Sequence, residues 1–132
     1  MAYGKFAQEY QKNAVNGASP LQLVIMLYDG ALRFMEAGKH AMRQKNLERQ
    51  NANLQRAQKI VQELTCCLDM REGGDVAKNL LSLYVYVNNE LVQANIDDKS
   101  EPIDRCIQIL SELRESWVAL EQTRTARMAE AA

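Results

Sequence analysis

The chain offers one histidine for acid–base or metal chemistry, His40. Glu36 lies one helical turn before it, but two ligands do not make a metal site, and the Glu-x-x-His repeats of di-metal bundles are absent. A single helical histidine, with Arg43 one turn further on, would also suit phosphoryl transfer. However, His40 falls near a predicted helix end and no glycine follows it. That position favours a solvated histidine stabilised by the helix dipole.

Cysteine and glycine chemistry is equally limited. Cys66, Cys67 and Cys106 form no C-x-x-C pair, so neither a redox motif nor a zinc knuckle is indicated. Free thiols fit a reducing compartment. The Gly73-Gly74 pair lacks the strand, spacing and lysine of a phosphate-binding loop. We therefore expect a protein that is not an enzyme and carries no cofactor or metal.

The composition is typical of one globular domain. The chain has 132 residues, of which 47% are hydrophobic and 25% charged, and its net charge is −1. Charges of both signs are interspersed, which argues against a nucleic-acid or anionic-membrane partner. No stretch approaches the roughly 20 apolar residues of a membrane span, and the start lacks the apolar run of a signal peptide. We expect a cytosolic protein with a single domain over residues 1–132.

The N-terminal segment, residues 1–18, is polar with scattered apolar anchors and predicts an arm or short helix. The first long helix begins after it. Ser19 is the predicted N-cap, Pro20 takes the first helical position, and Gln22 completes a capping box. This helix should run to about Gln44.

Three further amphipathic segments follow at helical spacing. The second helix is predicted from Asn46 to about Asp69, the third from its cap Asp75 to about Asn95, and the fourth from its cap Ser100 to about Glu121. Their predicted core stripes include, near the helix ends, Leu47, Val76 and Leu120. Residues 122–132 are expected to fray. Four long helices with short connections predict an all-α, antiparallel up-down helical bundle.

The first helix carries more apolar surface than one core contact needs. Two neighbouring rows together span roughly 200° of the helix, beyond the usual stripe. The rows are Val24, Leu27, Ala31, Phe34 and Gly38, and Leu21, Ile25, Tyr28, Leu32 and Met35. One interpretation is a central helix wedged between two others, with both rows in the core. The other is an exposed groove that awaits a partner segment.

The third helix shows a similar second row. It consists of Leu81, Val85, Asn88, Val92 and Asn95. Two carboxamides in an apolar row can donate to and accept from the backbone of a bound segment. The alternative is that Asn88 is a satisfied core amide and Asn95 a helix C-cap.

The chain resembles the FliS family of flagellar export chaperones from about Tyr10 to Trp117. The matching pieces, in order, are Tyr10, Ala18-Ser19-Pro20, Leu27-Tyr28-Asp29-Gly30, Leu64 to Asp69 with Glu72-Gly73-Gly74, Leu83-Tyr84-Val85-Tyr86 with Leu91 and Ala94-Asn95, and Leu113-Arg114 with Trp117. Each piece is short, but the set in this order is specific. Val85 and Cys66-Cys67 depart from the family pattern.

The resemblance implies a bundle that binds the disordered C-terminal region of flagellin, prevents its premature polymerisation and helps to deliver it to the export gate, FlhA. The N-terminal arm of the family can cover part of the groove when no client is present. The resemblance places Tyr10 at the arm and Tyr28 at its groove, and matches Tyr84 and Asn95 to the third-helix motif.

The apolar rows of the first and third helices, together with the family resemblance, give one set of candidate partner-binding residues. The set is Phe6, Tyr10, Leu21, Ile25, Tyr28, Leu32, Leu81, Tyr84, Val85, Asn88, Val92 and Asn95. We expect the free protein to be a monomer or weak homodimer. The alternative function is a generic helical adaptor, or a bundle whose second rows pair with another copy of itself and which has no flagellin client.

Overall fold

The computed structural model describes residues 17–131, which form four α-helices and no strand. They are α1 (Pro20–Arg43), α2 (Leu47–Cys66), α3 (Gly74–Asp97) and α4 (Glu101–Ala131). The predicted all-α class is therefore confirmed. None of these helices is long and apolar enough to cross a membrane.

The start of α1 has the predicted capping box. The Gln22 backbone N–H donates to Ser19 Oγ at 3.1 Å, and the Ser19 backbone N–H donates to Gln22 Oε1 at 2.8 Å. The start of α2 is capped in the simpler way, because Asn46 Oδ1 accepts from the Arg49 N–H at 3.1 Å. Each cap satisfies amide groups that the helix itself leaves without partners.

The turn between α2 and α3 differs from the prediction. Asp75 does not cap α3; the helix begins at Gly74, after Gly73, without a side-chain cap. The organising side chain is Asp69, whose Oδ1 accepts from the backbone N–H groups of Arg71 and Glu72. A Cβ at Gly73 would lie 2.6 Å from the Asp69 carbonyl oxygen, so this tight turn needs a glycine.

The end of α4 also differs from the prediction. The expected frayed tail is helical as far as Ala131. The Ser19 hydroxyl lies 3.4 Å from Glu121 Oε2, which marks the level at which α1 begins. The last ten residues of α4 therefore continue past the start of α1, and all of them except Arg124 are exposed.

Each helix runs antiparallel to its neighbour in the chain, and α4 closes the bundle against α1. The ion pairs Lys39–Asp104 and Asp29–Arg114 join α1 to α4. The earlier residue of α1 pairs with the later residue of α4, so these two helices are antiparallel. Between α3 and α4, Arg105 donates to Glu90. The helices therefore form a ring in which α1 lies diagonally across from α3.

The core lies inside this ring, and α1 approaches α2 closely through two glycines. A Cβ at Gly38 would lie 2.7 Å from Leu54 Cδ2, and one at Gly30 would lie 3.1 Å from Ile60 Cδ1. Leu54 and Ile60 are buried. Small residues at the crossing thus let large side chains of α2 fill the space beside the α1 backbone.

Three side chains predicted for the core are exposed. Leu47, Val76 and Leu120 are 62%, 65% and 53% exposed. Leu47 and Val76 lie in the first turns of their helices, and Leu120 lies where α4 leaves the bundle. The apolar periodicity of a helix extends to its last turns. The neighbouring helices do not reach those turns, so the apolar side chains there stay exposed.

Candidate functional site

The second row of α1 lies against the bundle rather than apart from it. Tyr28 and Met35 are fully buried, and Leu21, Ile25 and Leu32 are half-buried. The other row is also packed, since Val24, Leu27 and Phe34 are half-buried against the core. Of the two interpretations of these rows, this packing supports the central helix wedged between two others. Because α1 packs on both α2 and α4, it needs two apolar rows to cover them.

Tyr28 and Tyr84 meet in the middle of the bundle. Their hydroxyl groups lie 2.6 Å apart, and their rings make an edge-to-face contact with centroids 6.4 Å apart. Trp117 of α4 packs on Tyr28 in the same manner. Tyr84 is only 2% exposed. The two tyrosines therefore tie the diagonal helices α1 and α3 together, and neither ring is open to a partner in this conformation.

Burial raises the pKa of both Tyr28 and Tyr84 above the usual value near 10. In the unfolded chain the same phenols ionise near pH 10. Their contribution to stability is therefore fully present below about pH 10 and is lost as the pH rises further. A pH titration that follows tyrosinate absorbance and helical circular dichroism together should show part of the tyrosinate signal rising only as the helices unfold.

The Tyr28→Phe/Tyr84→Phe variant is the control for this titration. It should lack the late part of the absorbance change. Complete titration of all tyrosines in the wild type, with the helical signal intact, would contradict the buried phenol pair.

The second row of α3 is the one that remains open. Val85 and Val92 are 50% and 44% exposed, and Leu81 is half-buried. Val87, two positions from Val85 and therefore on the far side of the helix, is fully buried. Because α3 packs mainly on α2 and α4, no described helix covers the side that carries Val85 and Val92.

A groove runs along this side, between α3 and α2. Its volume is about 340 Å³, and it is open to solvent. The lining residues are Gln58, Gln62, Val85, Asn88, Asn89 and Val92. No charged side chain lines it, so the groove combines aliphatic surface with carboxamide groups.

Asn88 gives the groove a specific polar feature. Its Oδ1 atom is buried and has no hydrogen-bond donor among the described residues. A buried amide oxygen without a donor costs free energy, about 1–3 kcal/mol. Because this oxygen has almost no accessible surface, a bound segment beside Val85 and Val92 supplies that donor only if the Asn88 side chain turns towards the groove.

Asn95 lies at the end of the same row but is engaged within the bundle. Its Nδ2 donates to Asn51 Oδ1 at 2.8 Å, and its Oδ1 accepts from Gln50 Nε2 at 3.1 Å. Gln50, itself buried, also donates to Asp98 Oδ1 at 2.8 Å. This network fastens the start of α2 to the end of α3, and both polar atoms of the Asn95 side chain have partners within the bundle.

The sequence analysis did not select Gln58 and Gln62. The signal was present, because α2 carries a row of carboxamides spaced four, three and four residues apart. The row is Asn51, Gln55, Gln58 and Gln62. Apolar periodicity does not reveal this row, because it has no apolar member.

The groups considered for chemistry are scattered. His40 is exposed in the last turn of α1, and Cys66 and Cys67 are exposed free thiols at the end of α2. Cys106 is buried, and its Sγ lies 3.6 Å from the Val87 carbonyl oxygen. Among residues 17–131, no three His, Cys, Asp or Glu side chains are grouped as metal ligands. Phe6 and Tyr10 lie outside the described residues.

The fold and the groove define a helical binding protein. A family model described as "Flagellar protein FliS" matches residues 2–124. The flagellar secretion chaperone FliS of Vibrio cholerae is 38% identical over 116 residues, which cover 88% of this chain and 83% of that protein. The Bacillus subtilis protein of the same name is 34% identical over 108 residues, covering 82% of this chain and 80% of that protein.

A third relative, the flagellar secretion chaperone FliS of Salmonella typhimurium, is 34% identical over 113 residues, covering 85% of this chain and 84% of that protein. The chain therefore belongs to the FliS family of flagellar secretion chaperones. This confirms the family that the sequence motifs resemble, and it supports the role of an export chaperone.

Proposed function

We infer that this protein binds the disordered C-terminal region of flagellin in the cytosol, prevents its premature polymerisation and helps to deliver it to the export gate, FlhA. The observation that carries the proposal is the uncharged groove between α2 and α3, with Val85 and Val92 exposed beside the unpartnered oxygen of Asn88. The relatives are flagellar secretion chaperones, which supports an exported client.

The groove suits a client that orders on binding. Such a segment loses conformational entropy, so its host must present a surface that is already folded. Helix α3 is held on both sides by α2 and α4, and its exposed valines, Val85 and Val92, need no rearrangement before contact. Val85 and Val92 are seven residues apart, which is about 10 Å along a helix. The groove therefore grips a short stretch of client, two helical turns or a few extended residues.

The polar side chains that line the groove can fix the direction of a bound segment, in addition to contributing contact area. Gln58 and Gln62 on one wall and Asn89 on the other offer both donors and acceptors to a peptide backbone. Asn88 lines the same groove, and its Oδ1 atom accepts from a donor of the client once the side chain turns towards it. A client that satisfies it is held in one register, because a shift would leave the buried oxygen without a partner again.

The other candidate contacts enter the proposal in different ways. Leu81 extends the open row of α3 towards its start, and Leu21, Ile25 and Leu32 offer half-buried surface on α1. Phe6 and Tyr10 stay predictions for the N-terminal arm. Tyr28, Tyr84 and Asn95 support the helices behind the groove, and we do not place them in contact with the client. The free protein is proposed to be a monomer or weak homodimer.

Co-purification tests the proposal. The tagged chaperone should retain full-length flagellin and lose flagellin that lacks its C-terminal segment. Equal retention of both forms would contradict the proposed client region. Light scattering on the free protein is the companion measurement, because an obligate dimer that buries Val92 would assign the groove to a second copy of the chain.

A further inference from the structure

Three of the four arginines of α4 form ion pairs, whereas the arginines of α1 and α2 form none among the described residues. On α4, Arg105, Arg114 and Arg124 each pair with a carboxylate. On α1 and α2, none of the arginines has a carboxylate within ion-pair distance among the described residues. These arginines are Arg33, Arg43, Arg49 and Arg56. All four are exposed, so half of the bundle presents cations that the fold itself does not neutralise.

Two of these arginines converge on one aromatic ring. The guanidinium carbons of Arg33, from α1, and Arg56, from α2, lie over the Phe34 ring, 5.6 Å and 5.8 Å from its centroid. Phe34 is half-buried and packs against the core, so the ring is fixed. Because both guanidinium carbons lie close to the same ring centroid, the Arg33 and Arg56 cations are near each other. Contact with the ring restricts both side chains and leaves N–H groups available to a carboxylate.

The wider charge distribution agrees with this local arrangement. Residues 20–66 carry seven Lys or Arg against four Asp or Glu, whereas residues 67–131 carry seven against twelve. Of the four acids in the first half, Asp29 already pairs with Arg114, and Glu63 is buried. Glu36 and Glu48 are exposed and make no ion pair among the described residues. The α1–α2 side is therefore the basic side of a nearly neutral molecule.

We propose that Arg33, Phe34 and Arg56 form a docking surface for an acidic segment of a second protein. Two guanidinium groups fixed over a ring can each form charge-assisted hydrogen bonds with a carboxylate of the segment, and the apolar ring between them excludes water. Nucleic acid is the less suitable polyanion, because it needs a long continuous basic footprint, and the acidic α3–α4 half of this protein would repel it.

This surface is separate from the groove and does not rest on the flagellin proposal. Arg56 and Gln58 are two positions apart on α2, so their side chains point about 200° apart around the helix. Gln58 lines the groove, and Arg56 faces α1. The chaperone can therefore hold a client on one edge of α2 and an acidic partner on the other at the same time.

The test measures binding of a labelled twelve-residue peptide, rich in glutamate and aspartate, to the full-length protein by fluorescence anisotropy at low salt. Binding should weaken at least tenfold in the Arg33→Gln/Arg56→Gln variant and change less than twofold in Arg127→Gln. Arg127 is an exposed arginine of α4 that makes no ion pair among the described residues, and it serves as the matched control. The Arg33→Lys/Arg56→Lys variant, which keeps the charge, should recover only part of the affinity.

Each of the following outcomes would overturn the proposal. The peptide fails to bind the wild type, or Arg127→Gln weakens binding as much as the double variant, or the lysine pair binds as tightly as the arginine pair. A twelve-nucleotide oligothymidine is the comparison probe. Equal affinity for it, with the same dependence on Arg33 and Arg56, would show a general polyanion surface in place of a protein-docking site. Circular dichroism confirms that each variant is folded.

Discussion

Replacing Val85 and Val92 together by aspartate is expected to weaken flagellin binding by about 100-fold or more, which means loss of co-purification. Both side chains border the groove, and a bound segment would have to bury two carboxylates in a surface that offers them no cation. The fold should not change, since Val85 and Val92 are 50% and 44% exposed in the free protein. Affinity measured by calorimetry, with circular dichroism on the same samples, separates the two effects.

Val76→Asp is the matched control for the groove variant. Val76 is a valine of the same helix and is 65% exposed, but it does not line the groove. Its replacement adds the same kind of charge to α3 and should leave client binding within about twofold, as expected for a surface change away from the contact. If Val76→Asp weakens binding as much as the groove pair, the loss reflects general charge, and the groove is not the site.

The largest effect on stability is expected for Leu54→Ala, which should lower the free energy of unfolding by about 2–5 kcal/mol. Leu54 is fully buried, and its Cδ2 fills the space that Gly38 leaves beside the α1 backbone. Removing that side chain opens a cavity at the closest approach of α1 and α2. The neighbours cannot collapse into it without moving a helix. Urea denaturation followed by circular dichroism measures the change.

Leu47→Ala makes the same truncation on the same helix where the side chain is 62% exposed. We expect this variant to stay within about 0.5 kcal/mol of the wild type. Equal destabilisation by the two variants would show that the loss arises from helix propensity or the unfolded state. The tight α1–α2 crossing would then not be the source.

The helices could be located from sequence because their ends are chemically marked. Ser19, Pro20 and Gln22 define one end of α1 through local hydrogen bonds that need no tertiary information. The start of α3 was harder to predict from the sequence. Asp69 and Asp75 are both acceptable capping residues by type. Only the three-dimensional turn shows that Asp69 accepts from the turn amides of Arg71 and Glu72 and that α3 begins without a side-chain cap.

The sequence does not predict how much of each apolar row stays exposed after folding, because the pattern of one helix does not specify which other helices pack on it. The rows of α1 and α3 have similar periodicity, yet Tyr28 is fully buried and Val85 is half exposed. The difference lies in the ring order of the helices, which brings Tyr28 to Tyr84 across the diagonal and leaves Val85 at the outer edge. Long-range packing of this kind depends on all four helices at once.

The most direct test of the flagellin-binding groove is a nuclear magnetic resonance titration of the isotope-labelled, full-length protein with the C-terminal segment of flagellin. We expect the largest shifts at the methyl groups of Val85 and Val92 and at the side-chain amide of Asn88, with little change at Val76. Binding that leaves Val85, Asn88 and Val92 unperturbed, with the shifts confined to other faces of the bundle, would contradict this account.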